Sequence, residues 1–417
     1  MIYLHKFDDP SDIADEYYEN EEVTKDTPWV SYFNNGHTEE VLYQKSYKDI
    51  PLTIEGLGAG TVTLLLDGLS DDYSKEIWYS VNYDEWICVE PFMDDETWIS
   101  ISFEEGDIIQ FKGYNSAYFE TNGSSSESYL RIQCWDGECK IYGNIMSLID
   151  GDYFTGLTSL TEPYTFTGLF SGGQGIVDAS NLILPATVLT PHCYETMFKG
   201  CDSLEYPPKI FPATTVPEAA YFGTFENCDM LITPPKLLMT TLSSGTTHCT
   251  AMFKDCGSLE YMPELLPTTV YSQSYSNMFK GCTSLIECTE LPATTLENHC
   301  YNGMFSGCTA LVKAPNILPA TTLADYCYQA MFYGCDSLED APILPATTLA
   351  SRCYTNMFYG CSDLRFIKAG MAEFDNNGSS NWVRYVGQSG VFVKNPSLTD
   401  SFGISAIPEG WEVRNNV

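Results

Sequence analysis

Positive charge is scarce in this chain. Among 417 residues, 20 Lys and Arg stand against 56 Asp and Glu, for a formal net charge of -36. A field of that sign repels nucleic-acid phosphates and anionic membranes, so neither is expected as a partner. Long apolar runs are missing too. Stretches such as 62–66 are strand-sized, far short of the roughly 20 residues of a membrane span, so no membrane insertion is expected. Residues 1–10 turn acidic at once and show no cationic start followed by an apolar run. This predicts a protein made and kept in a cytoplasm unless another route exports it.

Histidine is rare as well, with five in all, and three of these (His192, His248 and His299) directly precede repeat cysteines. A Cys–His nucleophile would need that pairing. The same slot is Tyr326 and Arg352 in later units, however, and a catalytic group would not be interchangeable. These histidines are therefore expected on helix surfaces, and the chain is not expected to be an enzyme. Zinc is excluded by the lack of C-x-x-C pairing or tetrahedral spacing. The glycine-rich 56–61 lacks the lysine and the strand-loop-helix setting of a phosphate loop, and is expected to be a turn. Asp67, Asp71, Asp72, Asp94, Asp95 and Glu96 lack EF-hand spacing and are expected as solvated loop acids. No cofactor and no metal is expected.

What is abundant is repetition. Leu344-Pro-Ala-Thr-Thr-Leu349, followed by Cys353, Met357, Phe358 and Cys361, recurs closely at 318–335 and 291–308, with more worn copies before them. The Phe of the unit falls at Phe170, Phe198, Phe225, Phe253, Phe279, Phe305, Phe332 and Phe358, in steps of 26 to 28 residues. So steady a period predicts a solenoid, one coil per repeat, each burying its apolar side only against its neighbours. Within a coil the prolines (Pro315, Pro342, Pro345) exclude helix and fit edges and corners. The stretch 350–359 is expected to be a short helix, with Cys353, Met357 and Cys361 on an inward stripe and Gly360 ending it.

Of the 16 cysteines, 13 lie in the repeats, mostly as pairs seven or eight apart. In two repeats the first partner is replaced, by Ala220 and by Ser274. That would orphan a disulfide but barely disturbs two small buried side chains, so free thiols in the core are expected. Cys134 and Cys139 bracket a turn, where a disulfide and two free thiols are both open.

The rest of the chain divides around the repeats. Residues 1–48 form an entry segment, with a short helix expected near 12–18 and two strands around Asn34-Asn-Gly-His37. Residues 49–145 carry about seven alternating runs separated by turn signals, which predicts a β-sandwich. The repeats fill 146–372, and the aromatic tail 373–417 is expected to cap them. The fold class expected is thus β-rich and multidomain: a sandwich, then a solenoid with a short strand and a short helix per coil.

The units written Leu-Pro-Ala-Thr-Thr-Leu, Cys-Tyr, Met-Phe, Gly-Cys, Ser-Leu and Ala-Pro resemble the BspA-like class of bacterial leucine-rich repeats, carried by gut Bacteroidetes and their (crAss-like) phages, over about 230 residues. The stretches 142–148, 390–394 and 407–411 look like the flanks of such proteins, while the ladder asparagine of the eukaryotic class is absent. The resemblance implies adhesion to host proteins or other cells. Residues 3–7, 30–32 and 41–43 look like an attachment segment of phage virion proteins, which implies anchoring through Tyr3, Phe7, Trp29, Tyr32 and Tyr43 to other virion proteins.

The expectation is therefore a non-enzymatic phage structural, tail or fibre-type protein, located in the virion, whose repeats meet a host-surface protein or glycan. The alternative is a bacterial surface or secreted adhesin. Either is compatible with a homo-oligomer. Binding residues are sought among regularly spaced tyrosines. Tyr194, Tyr301, Tyr328 and Tyr354 are expected to pack between coils, whereas Tyr333 and Tyr359 are left as candidates for contact.

Overall fold

Strands form over each of the alternating runs between residues 49 and 145 because Val, Ile, Leu and Phe recur there with period two. In a computed structural model, residues 29–32, 41–44, 46–67, 77–89, 96–116, 119–121 and 127–416 are described. Strand β1 (Trp29–Tyr32) pairs antiparallel with β2 (Val41–Gln44), with Trp29 opposite Gln44. Tyr3, Phe7 and the helix expected near 12–18 lie outside the described residues, as do the side chains of Trp29, Tyr32 and Tyr43.

Two larger sheets follow. Strands β3 (Leu52–Gly56), β5 (Ile77–Val81), β6 (Ile87–Val89), β8 (Ile108–Gly113) and β11 (Cys139–Asn144) belong to one. Strands β4 (Gly60–Asp67), β7 (Glu96–Phe103), β9 (Phe119–Thr121) and β10 (Glu127–Trp135) make the other, in the order β7-β4-β10-β9. Leu52, Ile54, Val62, Leu64, Phe103, Ile109, Phe111 and Ile132 from both sheets are buried in a common core. The glycine-rich 56–61 is the bend that carries the chain from one sheet to the other.

The first sheet does not stop at residue 145. Strand β12 (Ile176–Ile183) lies parallel to β11, with Asn144 opposite Ile183, and completes the order β12-β11-β3-β8-β5-β6. Its outer edge is bridged in turn by Tyr206, opposite Asp178. On the second sheet, the Ile132 amide donates to the Leu169 carbonyl at 2.7 Å. The first repeat is therefore built directly on the sheets, which cover its core and pair an edge that would otherwise be open.

The repeats themselves overturn the expectation of a leucine-rich-repeat solenoid with a helix per coil. Among the described residues there is no α-helix; the helical pieces are short 3-10 turns at Tyr47–Asp49, Ile145–Leu148 and Phe154–Gly156. Residues 350–361 are instead a chain of overlapping turns. Alternate amides close turns within the layer: Cys353 to Ala350, Thr355 to Arg352, Met357 to Tyr354, Tyr359 to Asn356 and Cys361 to Phe358. The amides between them leave the layer and donate to the next one: Tyr354 to Gly378, Asn356 to Ser380, Phe358 to Trp382 and Gly360 to Arg384, at 2.8–2.9 Å. An α-helix would spend all of these donors inside the segment.

The backbone reason is a left-handed residue at every fourth position. Arg352, Asn356 and Gly360 have φ of 51°, 56° and 81°, which interrupts a right-handed helix and suits the third position of a type II turn. Earlier layers place His299, Gly303 and Gly307, or Tyr326, Ala330 and Gly334, at the same three points. Gly360 is thus the last of three reversals and not the end of a helix. The last of the three is Gly, Asn or Asp in every layer from Gly172 to Gly360, the residue types that tolerate this conformation best.

The short extended pieces are also parallel from layer to layer, as between Thr215–Val216 and Thr241–Leu242, or Thr269–Val270 and Thr295–Leu296. Stacking continues beyond residue 372. Trp382 is fully buried against Tyr354 and Phe358. Strands Phe366–Ala369, Val391–Lys394 and Glu412–Asn415 then form a parallel sheet.

Candidate binding face

Turns two residues in and two residues out sort the side chains into columns, one residue per layer. The interior columns are nearly uniform. The Phe column from Phe170 to Phe358 is a continuous stack with ring centroids 5.2–5.7 Å apart. Each second cysteine of a repeat is buried and its thiol donates to the Phe carbonyl one layer back, for example Cys308 to Phe279 at 3.1 Å and Cys335 to Phe305 at 3.1 Å. This bond between layers explains why that cysteine recurs in every layer from Cys201 to Cys361 while the first varies; the Phe170 layer, with no Phe carbonyl behind it, has Gly173 there. All 16 cysteines are free, including Cys134 and Cys139.

Burial raises these thiols, Cys353 to about 11 and Cys193 and Cys300 to about 12, which removes the reactive thiolate at neutral pH. Iodoacetamide applied to the native protein at pH 8 is therefore expected to modify no cysteine other than Cys88 and Cys288, the two with any exposure. Denaturant should then open the other fourteen, as counted by peptide mass. Labelling of Cys308 or Cys335 in the native state would contradict the buried column.

One interior layer departs from the rest. Backbone pairing places Cys249 in the tyrosine column, since Tyr194 donates to Ala220, Tyr221 to His248, Cys249 to Ser274 and Tyr275 to Cys300. His248 thus occupies the place of a first cysteine and is fully buried, not on the surface. Its Nδ1 lies 3.1 Å from Ser274 Oγ and its Nε2 2.9 Å from the Ser243 carbonyl. Burial holds this imidazole below its ordinary pKa despite the Ser243 carbonyl and the carboxylates of Glu218 and Glu297, so it stays neutral. Ser274 replaces cysteine because it partners this ring. The other two repeat histidines sit at left-handed turn positions and stack on tyrosines, His192 on Tyr164 and His299 on Tyr326, each at 4.3 Å.

The outward columns differ from layer to layer. One runs Ser171, Lys199, Glu226, Lys254, Lys280, Ser306, Tyr333, Tyr359 and Arg384, as fixed by the bonds from Gly172 through Gly360 to their carbonyls. Its first half neutralises itself. Glu226, nearly buried, takes Lys199 at 2.9 Å and Lys254 at 2.6 Å. Burial works to raise this carboxyl, but the hydrogen bonds from Lys254 and Lys199 outweigh it and the net shift is downward.

Its second half is aromatic and open. Tyr333, 40% exposed, stacks on half-buried Tyr359 at 4.7 Å and 9°. Tyr359 meets the exposed Tyr385 edge-on at 5.3 Å. The Arg384 guanidinium lies 5.8 Å from the Tyr359 ring and 4.9 Å from the Tyr385 ring, and donates to the Tyr385 hydroxyl at 3.0 Å. On the other side of the same face Arg352 lies 5.5 Å over Tyr326. Between the two aromatic groups runs a column of amides and hydroxyls, in which Asn302 donates to Gln329 at 2.8 Å.

The structure separates the candidate tyrosines cleanly. Tyr194, Tyr301, Tyr328 and Tyr354 are 1–2% exposed and pack between layers, while Tyr333 and Tyr359 share one outward column. Tyr385, Arg384 and Tyr326 join that face and were missed by sequence spacing, because Tyr385 and Arg384 fall in a segment where the repeat text is lost. Among the described residues no cluster of His, Cys, Asp and Glu could hold a metal ion. Asp67 and Glu96 are register partners on β4 and β7; Asp71, Asp72, Asp94 and Asp95 lie outside the described residues. No helix among the described residues is long and apolar enough to cross a membrane. Comparison of the chain with protein-family profiles and with curated proteins gives no match.

Proposed function

We propose that this is a non-enzymatic adhesion protein that presents its stacked repeats to a host-cell surface, as a tail- or fibre-type component of a phage virion. The observation that carries the reading is the open aromatic column of Tyr333 and Tyr359, flanked by Arg384 and Tyr385. Tyrosines bring large contact area at low conformational cost, and in most of the other layers the column holds Lys, Glu or Ser. The resemblance to BspA-like repeats supports adhesion, and the likeness of the first 48 residues to a virion attachment segment supports anchoring there to other virion proteins. A catalytic role finds no support: the repeat histidines stack on tyrosines or bond within the core, and the repeat thiols are protonated.

The test combines particles and cells. Gradient-purified virions are expected to contain the protein by mass spectrometry, and deletion of residues 1–48 should remove it from them. The isolated protein should bind host cells at least tenfold more weakly after Tyr333→Ala with Tyr359→Ala, with an unchanged circular dichroism spectrum. Recovery only in a bacterial envelope fraction would instead favour a surface or secreted adhesin.

A further inference from the structure

We infer that the outward face of the last five layers binds a carboxylate-bearing sugar of an acidic polysaccharide. The inference rests on the adhesion reading above and names the chemistry of its ligand. The first ground is an exposed ring. Tyr333, 40% exposed, stacks on Tyr359 on one side; on the other side the same column holds Ser306, whose side chain is small, and then Lys280. Two layer steps separate Lys280 from Tyr333, roughly 9–10 Å at ordinary strand spacing. That spacing admits one pyranose ring stacked by its C–H face on the tyrosine. The neighbouring column of Asn302 and Gln329 offers amides to the sugar hydroxyls.

The second ground is charge. The chain as a whole carries -36, yet this face inverts that sign. Lys280, Arg352 and Arg384 project from it, and among the described residues none of the three is paired with a carboxylate. Its acid, Asp325, is already engaged by the Ser351 amide at 3.1 Å. The contrast lies within one column: Lys199 and Lys254 spend their charge on Glu226, whereas Lys280 and Arg384 keep theirs. Both arginines also lie beside tyrosine rings, and the planar guanidinium fork of each suits a carboxylate. A neutral glycan would use the rings and amides but not these cations. A nucleic acid, with its denser charge, would meet the acidic remainder of the chain.

The full chain should be titrated by calorimetry with tetrasaccharides of galacturonate, of a glucuronate-containing polymer and of a sialylated glycan. Each is paired with its carboxyl-reduced counterpart, and dextran sulfate serves as a plain polyanion. The expected result is binding of at least one acid form, weakened tenfold or more by reduction of the carboxyl. Arg352→Gln with Arg384→Gln should erase that difference, while Tyr333→Ala should weaken acid and reduced forms alike. Equal affinity for the two forms, no binding of any acid form, or dextran sulfate binding that survives the arginine changes would each overturn the inference. Host-cell binding that still depends on Tyr333 and Tyr359 would then leave the adhesive reading standing, and its loss would remove both.

Discussion

Replacing Phe305 with alanine is expected to destabilise the protein by about 3–5 kcal/mol, toward the upper end of that range. Phe305 is fully buried and lies in the middle of the ring column, 5.7 Å from Phe279 and 5.5 Å from Phe332. Truncation removes apolar burial, opens a cavity that layers tied by backbone bonds on both sides cannot close, and breaks two stacked contacts worth about 0.5–1.5 kcal/mol each. Its carbonyl still accepts the Cys335 thiol, so the loss is confined to packing. Tyr333→Ala, on the outward side of the next layer, should change stability by no more than about 0.5 kcal/mol. Urea unfolding of the two variants checks both values. A Phe305→Ala loss under about 1.5 kcal/mol would mean that the layers relax independently.

The second large effect concerns Met239 and Cys249, which substitute for each other's size. In five other layers an Ala two residues into the Leu-Pro-Ala segment accompanies a buried Tyr: Ala186 with Tyr194, Ala213 with Tyr221, Ala293 with Tyr301, Ala320 with Tyr328 and Ala346 with Tyr354. In the exceptional layer a Met takes the place of the Ala and a Cys that of the Tyr, their sulfurs 4.0 Å apart. Met239→Ala alone should cost about 2–5 kcal/mol by leaving a void. Cys249→Tyr alone should cost about 1–3 kcal/mol or more by overfilling the site. The double variant restores the pairing of the other layers, and places a ring between Tyr221 and Tyr275 where the tyrosine stack is now broken. It is expected within about 1 kcal/mol of the parent. Thermal melts of the four proteins give the coupling, and additive losses would show that the two positions are not compensating.

The interior columns were legible in the sequence because spacing alone marks them. Cys353, Met357, Phe358 and Cys361 are indeed fully buried, as the four-residue interval predicts. The same interval misled the assignment of backbone. A turn repeated every four residues and a helix of 3.6 residues per turn place side chains on one side at nearly the same spacing. What distinguishes them is Gly303 and Gly307 in one short segment, or Asn277 and Gly281 in another, residues that weaken a helix but suit repeated left-handed turns. Cys249 carried a similar signal. It stands seven residues before Cys256 where the other intact pairs stand eight apart, the mark of a cysteine in the neighbouring column. Of the candidate face, Tyr333 and Tyr359 were visible as residues outside the inward spacing. Arg384 and Tyr385 were not, because only layer-to-layer pairing shows that residues 377–385 continue the stack.

The thiol that reaches back to the preceding Phe carbonyl has a consequence for how such a chain can change. Apart from the layer of His248, bonded to Ser274 of the next, the layers from Cys201 to Cys361 offer their neighbours the same donors and acceptors, so a duplicated or deleted unit of 26 to 28 residues would meet matching surfaces above and below. Copy number can then drift by recombination without redesigning the interior. A lineage could lengthen or shorten the outward surface, and reshuffle rows of residues on it such as Lys280 or Tyr333, with little effect on folding.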